Sequence, residues 1–308
     1  MRLVLTRSMT QQRKGFWLTI AGCAAAACFL IAFKLAAGLG DTTDATLVML
    51  VSAATLNSLT SFAQERGRPL VPTDRVSWLL AIGLSGLTLL GNELAVEAVR
   101  RISAPMTSVL QQTQVLFVAL LGRFILNERV TLRFWVGAGV AAAGLYLIQG
   151  APSATLVTDR VGMSLAAGSA ACWGLMAIYT RKYIHRIRPI AVNALRLWIS
   201  IALWFAVHMR LPALPMRWDF AIYCAIAGAF GPYISRTALM HALAHISPTK
   251  TTLIGLATPA ITIIPAFFVF GTVPGARELL GSAIMIAGIA IPVLGRATPT
   301  QARTSQGF

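Results

Sequence analysis

Ionisable side chains inside long apolar runs are the residues of this chain best suited to chemistry. Glu93, Glu97 and Arg101 recur at every fourth position, so they share one face if the run is a helix. A charged side chain at the centre of a bilayer costs at least about 2.5 kcal/mol on insertion scales, and such residues usually serve a function. A carboxylate at this position could bind an amine or carry a proton.

A second polar stripe lies in the other half of the chain. A shift of 144 residues maps Asn92 to Arg236 and Glu97 to His241. The planar guanidinium of Arg236 suits a carboxylate or a phosphate. Pro232, one turn earlier, removes a backbone hydrogen bond and can bend its helix. The two stripes together predict a polar cavity that binds a ligand.

The same residues also permit a less specific interpretation. Glu97 could pair with Arg101 within its helix at the outer membrane boundary, with His241 and His245 at the inner one. Three glutamines of the fourth apolar run would orient a ligand if the cavity exists: Gln111, Gln112 and Gln114.

Four other residues inside the runs have a role that the sequence leaves open. Trp173 lies in the middle of its run, where it either lines the cavity or packs. Pro259 and Pro265 could let the ninth run bend during gating. Arg196 lies some two turns into the seventh run and is equally compatible with binding and with structure.

The sequence around these residues is that of an integral membrane protein. Apolar residues make up 56% of the 308 and charged residues only 12%, against about 25% in soluble domains. Ten runs are long enough for helices that cross a ~30 Å core, and they lack the alternation of barrel strands. We predict an all-α protein with ten transmembrane helices, at about 16–37, 45–63, 77–98, 105–126, 132–149, 162–180, 190–208, 219–241, 250–270 and 277–294.

The net charge of +16 is spread between the runs instead of forming a basic face, which argues against nucleic acid as a partner. Of the 26 Lys and Arg residues, 16 fall on the side of the N-terminus, six on the opposite side and four within runs. This bias predicts that both termini, the tails 1–15 and 295–308, are cytoplasmic. The cysteines and histidines lack metal-ligand spacing and no phosphate-binding loop occurs, so we expect no metal, no cofactor and no ATP hydrolysis.

The chain repeats itself at a fixed offset of 144 residues, which matches Ile102-Ser103 to Ile246-Ser247. The offset also pairs glycines of the fifth and tenth runs: Gly137 and Gly144 with Gly281 and Gly288. Each half, 16–150 and 161–294, then holds five helices, and because five is odd the halves insert in opposite directions. The glycines permit close helix packing, and a homodimer through helices 5 and 10 is their alternative use.

Several segments resemble the EamA-like members of the drug/metabolite transporter superfamily. Residues 94–104 and 239–248 are similar to the end of the third helix of each repeat of that family, and Asn127-Glu128-Arg129 is similar to the link that follows the fourth helix. Thr258-Pro259 matches a Thr/Pro pair of the ninth helix, and Ala194-Leu195-Arg196 resembles the start of a second helix. The chain departs from the pattern at Gln114-Val115 and at Thr272.

The resemblance implies ten helices in two inverted repeats and a cavity lined largely by helices 3, 4, 8 and 9 with helices 1 and 6. It also implies export or exchange of a small metabolite. We therefore expect a multi-pass protein of the bacterial inner membrane that is no enzyme. It would export a small polar or amino-acid-like compound by alternating access, with protons as a potential coupling ion. A non-transporting scaffold or sensor, and a lipid-acting intramembrane enzyme, are the alternatives.

Overall fold

The computed structural model describes residues 2–64, 71–102, 107, 110–128, 130–149, 159–209, 211–212, 217–271 and 275–294. Over these residues the chain consists of helices and short connections, without a β-strand. The predicted C-terminal tail, together with Ser103, Arg129 and Thr272, lies outside the described residues.

The described residues of the first half form the helices α1 to α5. α1 begins well before the first apolar run because its polar start is rich in Arg, Gln and Lys, which favour helix. We number α4 from Gln114, which follows a turn at residues 112–113. Thr107, Leu110 and Gln111, before that turn, are also helical. The bounds are α1 Arg2–Ala37, α2 Thr42–Gln64, α3 Arg75–Arg101, α4 Gln114–Ile125 and α5 Leu132–Gln149.

The second half repeats this pattern with two interrupted helices. α8 passes through three consecutive segments: Trp218–Gly228, the π-helical Ala229–Ser235 and Arg236–His245. α9 consists of Pro248–Gly255 and Thr258–Phe270, joined by a tight turn. The remaining bounds are α6 Arg160–Tyr183, α7 Pro189–His208 and α10 Ala276–Leu294.

Helix length and surface composition agree with a membrane protein. Six helical stretches of the described part are long and apolar enough to span a bilayer, and α4 and α5 are shorter apolar helices. Large apolar side chains face outward, for example Leu79 at 71% exposure and Phe268 at 79%. This surface would be unstable in water but suits lipid, since exposed apolar patches of such extent are rare on soluble proteins.

Helix contacts follow the symmetry of an inverted repeat. The contact of α3 with α6 has its equivalent in that of α8 with α1, and the contact of α4 with α6 in that of α9 with α1. Likewise α3 meets α7 as α8 meets α2. The same relation exchanges α2 with α7 and α5 with α10, so the contacts α2–α7 and α5–α10 are each their own equivalent. A two-fold relation between the halves accounts for all of these contacts.

The repeated glycines lie where α5 and α10 cross. A Cβ atom on Gly144 would lie 2.5 Å from the Gly281 carbonyl oxygen, and one on Gly137 would lie 2.5 Å from that of Gly288. Real atoms do not approach so closely, so only glycine lets these backbones touch. The glycine faces are therefore in contact within one chain.

Candidate functional site

Arg196 lies fully inside the bundle, with 4% of its surface exposed. Its Nε donates to Asn193 Oδ1 at 3.1 Å, one turn earlier on α7, and its Nη1 donates to Thr88 Oγ1 on α3 at 2.9 Å. Its carbonyl oxygen accepts hydrogen bonds from Ser85 and Ser200. Polar partners from both repeats thus hold this guanidinium in one position.

Asn193 connects this arginine to two further helices. Its Nδ2 donates to Asn57 Oδ1 on α2 at 3.0 Å and to the Pro232 carbonyl oxygen on α8 at 2.9 Å. Pro232 lies in the π-helical segment, where the wider turn changes the usual backbone pairing. Thr237 also points at Asn57 Oδ1, at 3.4 Å. The polar network therefore joins α2, α3, α7 and α8.

Arg236, the first residue after the π-helical segment, is less satisfied than Arg196. Its Nε is buried without a hydrogen-bond partner, and its Nη2 lies 3.4 Å from Thr180 Oγ1 on α6. The rest of the side chain is half-buried. Its positive charge lies close enough to act on that of Arg196. Among the described residues neither arginine has a carboxylate within ion-pair distance.

We call the set Asn57, Thr88, Thr180, Asn193, Arg196, Arg236 and Thr237 the two-arginine site. Two guanidinium groups and neutral amides and hydroxyls make up its polar surface. An anion is the ligand that such a set binds best, because a carboxylate or phosphate accepts charge-assisted hydrogen bonds from each guanidinium.

The predicted acids lie apart from this site. Glu93 is 52% exposed and its Oε1 lies 4.0 Å from His208 Nε2 near the end of α7. Glu97 accepts a hydrogen bond from Arg101 Nε at 2.8 Å, and both side chains are about two-fifths exposed. The pairing of Glu97 with Arg101, one of the two interpretations of the sequence, is thus present.

The other predicted cavity residues form no single cluster with Arg236. Gln111 Nε2 lies 3.4 Å from Ser169 Oγ on α6. Gln112 lies just before α4, and Gln114 is the first residue of that helix. The Gln112 carbonyl oxygen accepts a hydrogen bond from the Val115 amide. Trp173 packs beside a buried apolar cluster of α3, α6 and α7. Asn92, the position on α3 that the 144-residue offset pairs with Arg236, is half-buried.

The remaining candidates mark irregular helix geometry. His241 Nδ1 lies 2.9 Å from the Thr237 carbonyl oxygen, a bond within α8. Pro259 stands in the first turn of the second segment of α9, just after the tight turn, and Pro265 lies inside that segment. α9 is therefore interrupted once and carries a second proline where its backbone pairing is weakened.

A further polar cluster, around Glu128, lies on the side of the bundle where α1 begins. Gly15 of α1 contacts His245 and Ile246 on this side. We call it the N-terminal side. α4 ends in a left-handed residue, Asn127, with φ of 52°, and the Glu128 amide bonds back to the Gly122 carbonyl. This helix-ending turn fixes the position of Glu128.

Glu128 reaches across to the second repeat. Its Oε2 accepts a hydrogen bond from Thr249 Oγ1, in the first turn of α9, at 2.6 Å. Burial raises the pKa of the Glu128 carboxyl, although the Thr249 hydrogen bond and the charges of Arg181 and Lys250 oppose the shift. Reasoning from sequence missed this contact because it treated Glu128 only as part of a family motif.

The surface also carries a groove of about 420 Å³ between α3 and α6, lined by Leu79, Leu84, Leu87, Tyr179 and others. No charged residue lines it, and it opens where Leu79 is exposed. Its lining is mostly apolar, and the lining residues with a side-chain polar group are Tyr179 and Tyr183.

The fold and the two-arginine site together define a polytopic helical membrane protein of the inverted-repeat transporter type. The model of the EamA-like transporter family matches residues 13–150 and again residues 160–294. The chain belongs to this family, as the sequence resemblance implied. The predicted ten-helix inverted repeat and the location in the bacterial inner membrane are thereby confirmed.

Individual relatives are more distant. The chain is 28% identical over 136 residues to the "Uncharacterized inner membrane transporter YhbE" of Escherichia coli (strain K12), covering 42% of this chain and 41% of that protein. It is 22% identical over 204 residues to the "Uncharacterized transporter YdfC" of Bacillus subtilis (strain 168), covering 63% and 64%.

A third relative is named "Probable terminal-alkyne amino-acid exporter", from Streptantibioticus cattleyicolor; it is 28% identical over 181 residues, covering 56% of this chain and 58% of that protein. The matches thus span less than two thirds of each curated relative's length. A solved structure titled "Crystal structure of protein" has the same fold, with a TM-score of 0.76 over 95% of this chain and 99% of that chain, at 16% identity.

Proposed function

We propose that this protein is a secondary transporter that exports a small metabolite bearing a carboxylate or phosphate, amino-acid-like compounds included. The substrate would cross by alternating access through the two-arginine site. The observation that carries the proposal is the pair of guanidinium groups inside the bundle, the buried Arg196 and the half-buried Arg236. Neither has a carboxylate partner in the described part of the chain.

Electrostatics explain why this pair points to a ligand. An isolated charge inside a protein or a bilayer is costly, and a second charge of the same sign nearby adds to the cost. A bound anion offsets part of that cost and completes the hydrogen bonds of Arg236, whose Nε has no partner. Glu93 and Glu97 do not suit such a ligand, because a carboxylate repels an anion.

The position of the site also supports a transport role. Its residues come from α2 and α3 of the first repeat and from α6, α7 and α8 of the second. A site at the junction of two inverted repeats can face either side of the membrane when one repeat moves against the other. The π-helical segment beside Arg236 offers a place for such a movement, since π-turns occur frequently at functional sites.

The proposal also includes the direction of transport and the orientation of the chain in the membrane. A relative named as an amino-acid exporter supports export and an amino-acid-like substrate. The excess of Lys and Arg on the N-terminal side supports cytoplasmic termini. The contact between the glycine faces of α5 and α10 within one chain favours packing over a homodimer as their use.

Ligand-induced stabilisation of the purified protein tests the site. We expect organic anions and amino acids, but not sugars or nucleosides, to raise the unfolding temperature; a ligand at a hundred times its Kd adds about 2.7 kcal/mol. Arg236→Ala should lose the shift, whereas Arg277→Ala, an exposed arginine of α10, should keep it. A shift that survives Arg236→Ala would move the site elsewhere.

Counterflow in proteoliposomes tests transport itself. Vesicles preloaded with a stabilising compound should take up the labelled compound through the wild-type protein and the Arg277→Ala variant, but not through Arg236→Ala. Binding without counterflow in the wild type would instead support a sensor.

A further inference from the structure

Glu128 is a carboxylate through which the two repeats contact each other. It lies in the link between α4 and α5 of the first repeat, and its Oε2 accepts the Thr249 hydroxyl of the second repeat at 2.6 Å. A Cβ on Gly122 would lie 3.2 Å from the same Oε2, so the end of α4 packs closely against the carboxyl. The contact therefore joins the end of α4 to the start of α9 on the N-terminal side of the bundle.

The charges that face Glu128 are cations. Arg181, near the end of α6, and Lys250, in the first turn of α9, both act on it. Arg181 also donates to the Leu243 carbonyl oxygen of α8. In the next layer His245 faces Arg181 and Lys14. These neighbours favour the charged carboxylate, yet burial outweighs them and the pKa of Glu128 is raised.

We propose that Glu128 is a proton-binding site of the transporter, and that its contact with Thr249 closes the N-terminal side of the transport pathway. The coupling of this closure to solute movement rests on the proposed function above; the proton dependence of the closure itself does not.

The sign of the coupling follows from linkage. The closed arrangement buries Glu128, whereas opening between α4 and α9 would hydrate it and return its pKa toward the ordinary value. The closed state consequently binds the proton more tightly than the open one. By reciprocity protonation favours closure, so acidic pH stabilises the closed N-terminal side and opening releases a proton.

The acids predicted from the sequence are less suited to this role. Glu93 is 52% exposed and lies beside His208. Glu97 is 39% exposed and pairs with Arg101. Glu128 differs because closure removes it from water.

Hydrogen–deuterium exchange of the intact protein measures the closure without any substrate. Exchange in the segment 246–256, the start of α9, is compared between variants at the same pD, which cancels the intrinsic pD dependence. Glu128→Gln keeps a hydrogen-bond acceptor without a charge and should mimic the protonated state. At alkaline pD we expect it to exchange several-fold more slowly than the wild type in this segment, and at acidic pD the two should coincide.

Two matched controls separate this effect from general changes in the helix. Glu278→Gln, at a half-buried acid of the first turn of α10, should behave as the wild type at both pD values. Thr249→Val removes the hydroxyl donor and should speed exchange at both, whereas Thr262→Val removes a hydroxyl that bonds to Thr258 within α9 and should leave the segment 246–256 unchanged.

The outcomes distinguish the two proposals. Equal exchange of Glu128→Gln and the wild type at both pD values, or faster exchange of Glu128→Gln at alkaline pD, would overturn the proton-binding role. If the exchange results agree but no anion binds or is transported, the proton-sensitive closure stands and the proposed transport function fails. In proteoliposomes that do transport, an imposed pH gradient should change the wild-type rate and leave the Glu128→Gln rate unaltered.

Discussion

Asn193 Nδ2 lies 3.0 Å from Asn57 Oδ1, joining the second helix of one repeat to the second helix of the other. Both side chains are fully buried. Asn193 Nδ2 also donates to the Pro232 carbonyl oxygen. Asn193 Oδ1 accepts a hydrogen bond from Arg196 Nε. One amide therefore satisfies three buried polar groups at the junction of the repeats.

Asn193→Leu should destabilise the protein. The change leaves Arg196 Nε without its partner and leaves Asn57 Oδ1 with only the Thr237 hydroxyl at 3.4 Å. An unsatisfied buried polar group costs about 1–3 kcal/mol. We expect a lower unfolding temperature in detergent, by the amount that corresponds to at least one such group. Thr262→Val is the control, because its hydroxyl bonds to the backbone of its own helix. Equal unfolding temperatures for the wild type and Asn193→Leu would show that the network contributes nothing to stability.

Gly144→Ala should separate α5 from α10. The added Cβ would meet the Gly281 carbonyl at 2.5 Å and the Met285 amide nitrogen at 2.5 Å, which are backbone atoms and cannot swing aside. Overpacking of this kind costs about 1–3 kcal/mol. The measurement is again thermal unfolding of the purified protein.

Gly139→Ala, on the same helix, is the matched control. Nothing lies within 4 Å of a Cβ at that position, and alanine favours a helix by up to about 1 kcal/mol over glycine. This variant should be as stable as the wild type or more so. A loss of stability as large as that of Gly144→Ala would contradict the packing argument.

Arg236→Met should leave the ligand-free protein at least as stable as the wild type while abolishing anion binding. The substitution removes a half-buried charge whose buried Nε has no hydrogen-bond partner, and it introduces an apolar side chain of similar length. Such a gain at the expense of function is typical of binding sites. Unfolding with and without ligand measures both effects.

Arg181→Met provides the contrast for this prediction. Arg181 donates to the Leu243 carbonyl and faces the Glu128 carboxyl, so its loss should destabilise the ligand-free protein by about 1–3 kcal/mol. If Arg236→Met destabilises as strongly as Arg181→Met, Arg236 has a structural role and the argument for an unsatisfied charge fails.

Asp74→Ala should weaken the start of α3 in a pH-dependent manner. The Asp74 carboxylate accepts a hydrogen bond from the Ser77 amide at 2.8 Å, and this bond holds the pKa of Asp74 below its ordinary value. A lowered folded-state pKa means that the stabilisation is present above the unfolded-state pKa and is lost as the pH falls through the folded-state pKa.

The expected cost of Asp74→Ala at neutral pH is about 1 kcal/mol, as for other N-cap residues. The difference from the wild type should shrink in acid below the ordinary carboxyl range. Asp74→Asn keeps a capping oxygen without a titratable group, so its stability should be near that of the wild type at neutral pH. A constant difference between Asp74→Ala and the wild type from neutral to strongly acidic pH would exclude the capping carboxylate as the cause.

The sequence alone determined the membrane class, the helix count and the inverted repeat. Long apolar runs leave the backbone few ways to satisfy its hydrogen bonds in lipid, so their number and length predict the helices directly. The common offset that pairs Gly137 with Gly281 predicted that the two halves are equivalent, and the rarity of charge inside a membrane singled out Arg236.

Only the tertiary structure decided which polar side chains meet. In a membrane helix the positions that face lipid and those that face neighbours are both apolar, so periodicity does not reveal how a helix is rotated about its axis. Glu93 and Arg236 both stood out as intramembrane charges, but α3 exposes the first while α8 directs the second inward. The contacts Arg196–Thr88 and Glu128–Thr249 join residues more than a hundred positions apart. Their distance depends on how the repeats pack, which no local pattern contains.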